Sequence, residues 1–147
     1  LYLTKNDLQT SREYYLRAEA CEPYNAKIKR YLGQIAFRQG HSEEAESYWR
    51  SALKIEPQNL EVLSTMVNYL TEKQRRVDAV LLVEKCVERT QGTEPQLLVG
   101  LADLYLLVGR EDRAVETLRE AKIATSQDNP QLLQTIHQML QRLGEAP

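Results

Sequence analysis

The sequence predicts an all-α fold built as a repeat array, and three observations carry that reading. Small residues recur at Ser11, Ala45, Ala79 and Ala114, and again at Ala18, Ala52, Cys86 and Ala121, in steps of 34, 34 and 35. Bulky residues keep the same register, at Tyr15, Trp49, Val83 and Leu118, with a further ladder at Leu32, Met66, Leu101 and Ile136. Pro23 and Pro57 lie 34 residues apart in the matching tetrapeptides EPYN and EPQN. Several ladders sharing one period mark a stacked array rather than a single bundle. No segment alternates apolar and polar residues over a useful length, so strands are not expected.

Each repeat reads as two helices. The chain opens inside a repeat, with a second helix over about 8–22. Asn25 stands where an N-cap belongs, because its short polar side chain can accept from a first-turn N–H. The helix it starts covers about 26–39, and Gly40 ends it. Ser42 is the expected cap of the next helix, about 43–56, with Glu43 and Glu44 placed against the positive end of the dipole. Asn59 caps a helix over about 60–73. There Gln74 replaces the terminating Gly, so that turn is less tightly specified. A helix over about 77–91 follows, and one inserted residue in 92–95 accounts for a step of 35. Pro95 sits at the first helical position, where its missing N–H costs least, and opens about 95–108, ended by Gly109. The last two helices cover about 112–126 and 130–143, the latter opened by Pro130 and ended by Gly144. The array thus divides into a partial repeat (1–25), repeats over 26–59, 60–94 and 95–129, and a closing helix or the start of a further repeat (130–147).

The ladders have a packing rationale. Two short antiparallel helices must approach closely at some contacts. Gly33, Ala45 and Ala52 permit this in one copy, and Ala102, Ala114 and Ala121 in another. Leu32, Phe37, Trp49 and Leu53, then Leu101, Tyr105 and Leu118, fill the adjoining grooves. Neither helix buries its apolar face alone, so successive units stack into one continuous core.

Composition narrows the function classes. The chain has 147 residues, 42% hydrophobic and 27% charged, with a formal net charge of −2. That balance speaks against a nucleic-acid surface, which carries a large positive excess. The longest apolar runs, such as AVLLV at 79–83, are too short to span a bilayer, so no direct membrane insertion is expected. Cys21 and Cys86 form no disulfide framework and lack metal-ligand spacing, which leans toward a reducing compartment or toward a fold indifferent to redox. The chain begins at Leu1 without an initiator Met or a signal-peptide pattern, and reads as part of a larger protein.

The period and its small and large positions resemble the tetratricopeptide repeat family. The clearest copy is AKIKRYLGQIAFRQGHSEEAESYWRSALKIEP, residues 26–57. It carries the family's Leu-Gly pair at Leu32 and Gly33 and its turn Gly at Gly40. The second-helix small and aromatic positions are Ala45, Trp49 and Ala52, and Pro57 closes the copy. It departs from the pattern at Lys29, where Trp or Leu is common, and at Ala36, where Tyr is usual. Residues 60–93 are a diverged copy, with Val67 at a small position, and residues 95–128 are a good one. RNA-binding helical hairpin repeats are the main alternative, but those usually lack the acid-Pro end and are usually basic.

The resemblance implies a right-handed α-solenoid whose first helices line a concave face. Helical spacing puts Lys27, Arg30, Gln34, Phe37 and Arg38 on that face in the first full repeat. In the next it puts Glu61, Ser64, Asn68, Thr71 and Glu72 there. Gln96, Val99, Asp103 and Leu106 follow, then Gln134, Gln138 and Gln141. Some family members clamp an acidic C-terminal carboxylate there with Lys and Asn, then Asn, then Lys and Arg. Here Arg30 and Gln34 are poor substitutes, Asn68 is one turn away, and the third helix offers Gln96 and Gly100 instead of cations. Tight binding of such a tail is therefore not expected.

No constellation for chemistry stands out. His41 falls in a turn, His137 in the closing helix, and Cys86 at a tight helix contact where a small buried thiol fits. The acidic pairs at 43–44 and 111–112 are solvated helix starts, and no phosphate-binding Gly loop is present. The expectation is a non-enzymatic scaffold without cofactor or metal, binding a protein or peptide partner in the groove. A homo-oligomer is the alternative, through apolar ends at Tyr2, Leu8, Tyr15, Ile136, Leu140 and Leu143. A further alternative is a recruitment domain of a bacterial envelope or polysaccharide-export machine.

Overall fold

The local signals produce eight helices among residues 4–145, which the computed structural model of the chain describes. In order these are α1 (Lys5–Cys21), α2 (Ala26–Arg38), α3 (Ser42–Ile55) and α4 (Leu60–Glu72). They continue with α5 (Arg76–Arg89), α6 (Pro95–Leu107), α7 (Glu111–Ala124) and α8 (Pro130–Arg142). No strand occurs among the described residues. The chain forms two compact units, one ending at Met66 and one beginning at Val67, so the division falls inside α4.

Side-chain caps begin α1, α2, α4 and α8. Helix α1 starts at Lys5, three residues before the expected start, because Thr4 and Asp7 form a capping box. The Thr4 hydroxyl and N–H both donate to the Asp7 carboxylate, holding its pKa below the ordinary Asp value. Asn25 accepts from the Lys27 and Ile28 amides, while its Nδ2 donates to Glu22 at 2.7 Å. Asn59 repeats the arrangement, accepting from Val62 N–H and donating to Glu56 at 3.0 Å. The EPYN and EPQN tetrapeptides are therefore twin latches, in which Glu at the end of one helix orients the Asn that starts the next. Asn25→Ala and Asn59→Ala should each cost about 1 kcal/mol, the usual loss of a cap, read as a drop in thermal midpoint.

Ser42 does not cap α3. His41 occupies the cap position without a side-chain cap bond, and Ser42 is the first helical residue. The turn explains the shift. Gly40 takes a φ of 83°, the His41 N–H donates to Ala36 O, and the His41 carbonyl accepts from Ala45 N. Gln74 adopts the same left-handed conformation, with a φ of 60°, where the other turns use Gly. That conformation costs a non-glycine residue about 1–2 kcal/mol. The inserted residue lies in the 90–94 connection, where Gln91 and Gly92 both have positive φ. A second connection of the same length, 125–129, keeps the later period at 35.

In the first unit α1 packs on α2 and α2 on α3. Its core holds Leu32, Ile35 and Ala36 of α2 with Ala45, Trp49, Ala52 and Leu53 of α3. Gly33 makes this approach possible, since a Cβ there would lie 2.5 Å from Trp49 Nε1. In the second unit α5 packs on α6, α6 on α7 and α7 on α8. Leu98, Leu101, Ala102, Ala114, Leu118 and Ala121 are among its buried residues. Tyr105, also buried, donates its hydroxyl to the Glu84 carboxylate, and Arg113 lies over its ring at 5.6 Å.

The expected apolar ends need correction. Leu8 is only 7% exposed, Ile136 is 0% and Leu140 is 2%. Each belongs to a terminal helix, α1 or α8, that turns its apolar side inward onto α2 or α7. Tyr15 and Leu143 are half-buried. Tyr2 lies outside the described residues.

Candidate protein-binding surface

The exposed face of α2 is set by its own periodicity. With Leu32, Ile35 and Ala36 committed to the core, Lys27, Gln34, Phe37 and Arg38 remain exposed. Phe37 is 47% exposed although its ring centroid stands 5.7 Å from that of Trp49. Lys27 and Arg38 make no ion pair among the described residues. The helix carries Lys27, Lys29, Arg30 and Arg38 and no acid.

Arg30 differs from its neighbours. Its side chain is only 18% exposed, and it is ion-paired with Glu61. Its guanidinium also lies over the Tyr31 ring, 4.9 Å from the centroid. Tyr31 stacks on Tyr15 at 5.0 Å, and Tyr15 meets Tyr14 edge-on at 5.3 Å. Burial, with the neighbouring Tyr31 and Tyr14 phenols, pushes the Tyr15 pKa up. Glu61, Lys29 and Glu19 are likewise engaged, the last two with each other. Spacing along one helix could not reveal these partners, which lie ten to 31 residues away. Ser64 is exposed on the α4 turn after Glu61.

In the second unit Asn68, Glu72, Gln96 and Asp103 are exposed, and Thr71, Val99 and Leu106 are half-buried. Asp103 is the only charged residue of α6. It makes no hydrogen bond or ion pair among the described residues, and partial burial pushes its carboxyl above the ordinary Asp value. Gln134, Gln138 and Gln141 are exposed on α8. The helical spacing of the groove positions does not include Tyr31 or Leu107. Leu107 could have been found one residue beyond Leu106, since it is 45% exposed.

Reactive chemistry is sparse. Burial pushes the Cys86 thiol up, which keeps it protonated and unreactive. Cys21 and His41 are exposed, and His137 is half-buried. Among the described residues no three His, Cys, Asp or Glu side chains cluster to hold a metal. No helix there is long and apolar enough to cross a membrane.

The sequence profile of the tetratricopeptide repeat family matches residues 12–145. No curated protein sequence matches the chain. Among solved structures, that of MamA superposes with a TM-score of 0.55 at 12% identity, covering 98% of this chain and 89% of that one. The N-terminal domain of stress-induced protein-1 (STI-1) from C. elegans gives 0.57 at 17% identity, covering 82% and 94%. PilF of Pseudomonas aeruginosa gives 0.55 at 17%, covering 95% and 70%. At these identities the likeness is one of fold, and it agrees with the all-α helix-pair architecture. Arrays of this kind are in general protein–protein interaction modules and non-enzymatic scaffolds. With its helix pairs, its 34-residue ladders and a profile match over nearly all of its length, the chain belongs to the tetratricopeptide repeat family.

Proposed function

We propose that the chain is a scaffold that binds a segment of a protein partner on the exposed faces of its first helices. The observation that carries this reading is the face of α2. Two exposed cations without ion-pair partners among the described residues, Lys27 in the first turn and Arg38 in the last, lie on a helix that has no acid, with exposed Phe37 beside Arg38. A partner segment with acidic groups beside an apolar residue complements that face. Lys27 and Arg38 meet the acidic groups, Gln34 hydrogen-bonds, and Phe37 supplies apolar contact. Arg30 positions Tyr31 and Glu61 rather than meeting the partner first. Ser64 extends the first unit's surface. In the second unit, Asn68, Glu72, Val99, Asp103 and Leu106 form the corresponding faces. Self-association loses its main support, because Leu8, Ile136 and Leu140 are buried within the chain.

A randomised 12-residue peptide display library selected on the purified chain tests the proposal. Acidic sequences with a large apolar residue should be enriched. The double variant Lys27→Glu/Arg38→Glu should lose that class while its stability stays within about 0.5 kcal/mol, as for ordinary surface changes. An unchanged acidic class would refute the placement on α2. Reversal at Arg30 is a poorer probe, because it also sets a carboxylate against Glu61 and lowers stability.

A further inference from the structure

Helix α6 is apolar nearly all the way round, a composition ordinarily enclosed on every side. Its inner face buries Leu97, Leu98, Leu101, Ala102, Leu104 and Tyr105. On the outer side Val99 and Leu106 are half-buried and Leu107 is 45% exposed. Gly100 lies among them, exposed in the middle of the helix. A Cβ added there would meet nothing within 4 Å, whereas one at Gly33 would strike Trp49. Glycine weakens a helix interior relative to alanine, and no neighbour among the described residues requires it at this position. Less than one turn on stands Asp103, the only charge of the helix, exposed and without a partner among the described residues.

A small notch of bare backbone, apolar residues around it and one unpaired carboxylate define a complementary ligand. We propose that this face of α6 binds a basic amphipathic segment of a partner protein. A large apolar side chain of the segment seats over Gly100, and a Lys or Arg three or four residues away pairs with Asp103. This rests on the proposed role as a peptide-binding scaffold and names the partner chemistry for the second unit. It is opposite in charge to the class that α2 favours.

The same display selection tests it. A second class of sequences, with Lys or Arg three or four residues from a large apolar residue, should be enriched on the wild-type chain. A fluorescein-labelled peptide of that class should bind about tenfold more weakly to Asp103→Asn, a change typical of removing one partner of a charge pair, and not measurably to Asp103→Lys. Gly100→Ala should raise the thermal midpoint yet weaken the peptide, and Gly100→Leu should block it. Lys27→Glu/Arg38→Glu should leave this class in place. The inference is overturned if only acidic peptides are enriched, or if Asp103→Lys retains the basic class. If the chain enriches no peptide at all, the scaffold reading itself falls.

Discussion

Gly33→Ala should destabilise the chain by about 1–3 kcal/mol, the usual cost of forcing volume into a filled core. Helix propensity alone predicts the opposite sign, since alanine stabilises a helix interior by about 0.5–1 kcal/mol over glycine. Geometry decides between the two. The added methyl would sit 2.5 Å from Trp49 Nε1 and 2.6 Å from its Cδ1. The indole cannot easily withdraw, because Trp49 is only 2% exposed and packs near Phe37. Trp49→Ala should itself cost about 3–5 kcal/mol, as large aromatic truncations do. The two changes should couple strongly. With the indole gone, Gly33→Ala should become neutral or stabilising. Urea unfolding of the two single variants and the double variant measures this, and an equal penalty in both backgrounds would remove the contact as the cause.

The second large effect is expected at Tyr105. Tyr105→Ala should cost about 3–5 kcal/mol, because a ring only 2% exposed leaves a cavity between α5, α6 and α7. Tyr105→Phe isolates the hydroxyl and should cost about 1 kcal/mol, since half-buried Glu84 loses its donor but can recover some water. Burial is the first cause that raises the Tyr105 pKa, with the Glu84 hydrogen bond adding to it. The folded state thus holds the phenol proton more tightly than the unfolded state does. The stability this confers is fully present below the unfolded value, about 10, and is lost as pH rises through the folded value. Tyr105→Phe should therefore flatten the alkaline limb of the stability profile. Tyr15 and Tyr48 are raised in the same direction and would keep part of it.

The repeat was legible because its packing rules act locally and recur. Ala45 and Trp49 differ by four residues on one helix, and the same pair of demands returns at Ala114 and Leu118. Cap residues were legible where side chain and backbone sit within three positions, as at Asn25 and Asn59. Ser42 misled because the Gly40 turn, rather than the side chain, decides where α3 begins. The candidate surface was legible only as a set of exposed positions. Lys27, Gln34 and Arg38 are exposed as spacing requires. Arg30 has the same spacing, but Glu61 and Tyr31 already hold it. That pairing depends on how α2 and the start of α4 come together, which no single-helix pattern records. The burial of Leu8, Ile136 and Leu140 was hidden for a similar reason. A terminal apolar stripe looks the same whether it awaits a neighbour or has folded onto one.

The two cysteines, one in each unit, differ sharply in accessibility: Cys21 is exposed, and Cys86 is only 2% exposed. A thiol reagent would tag Cys21 at once in the native chain. It would reach Cys86 only during moments when α5 loosens, at a rate set by the free energy of that opening. The tight helix contact that makes Cys86 chemically silent thus also makes it an internal clock. Its labelling rate would report breathing of the second unit, with the first unit's thiol already counted and out of the way.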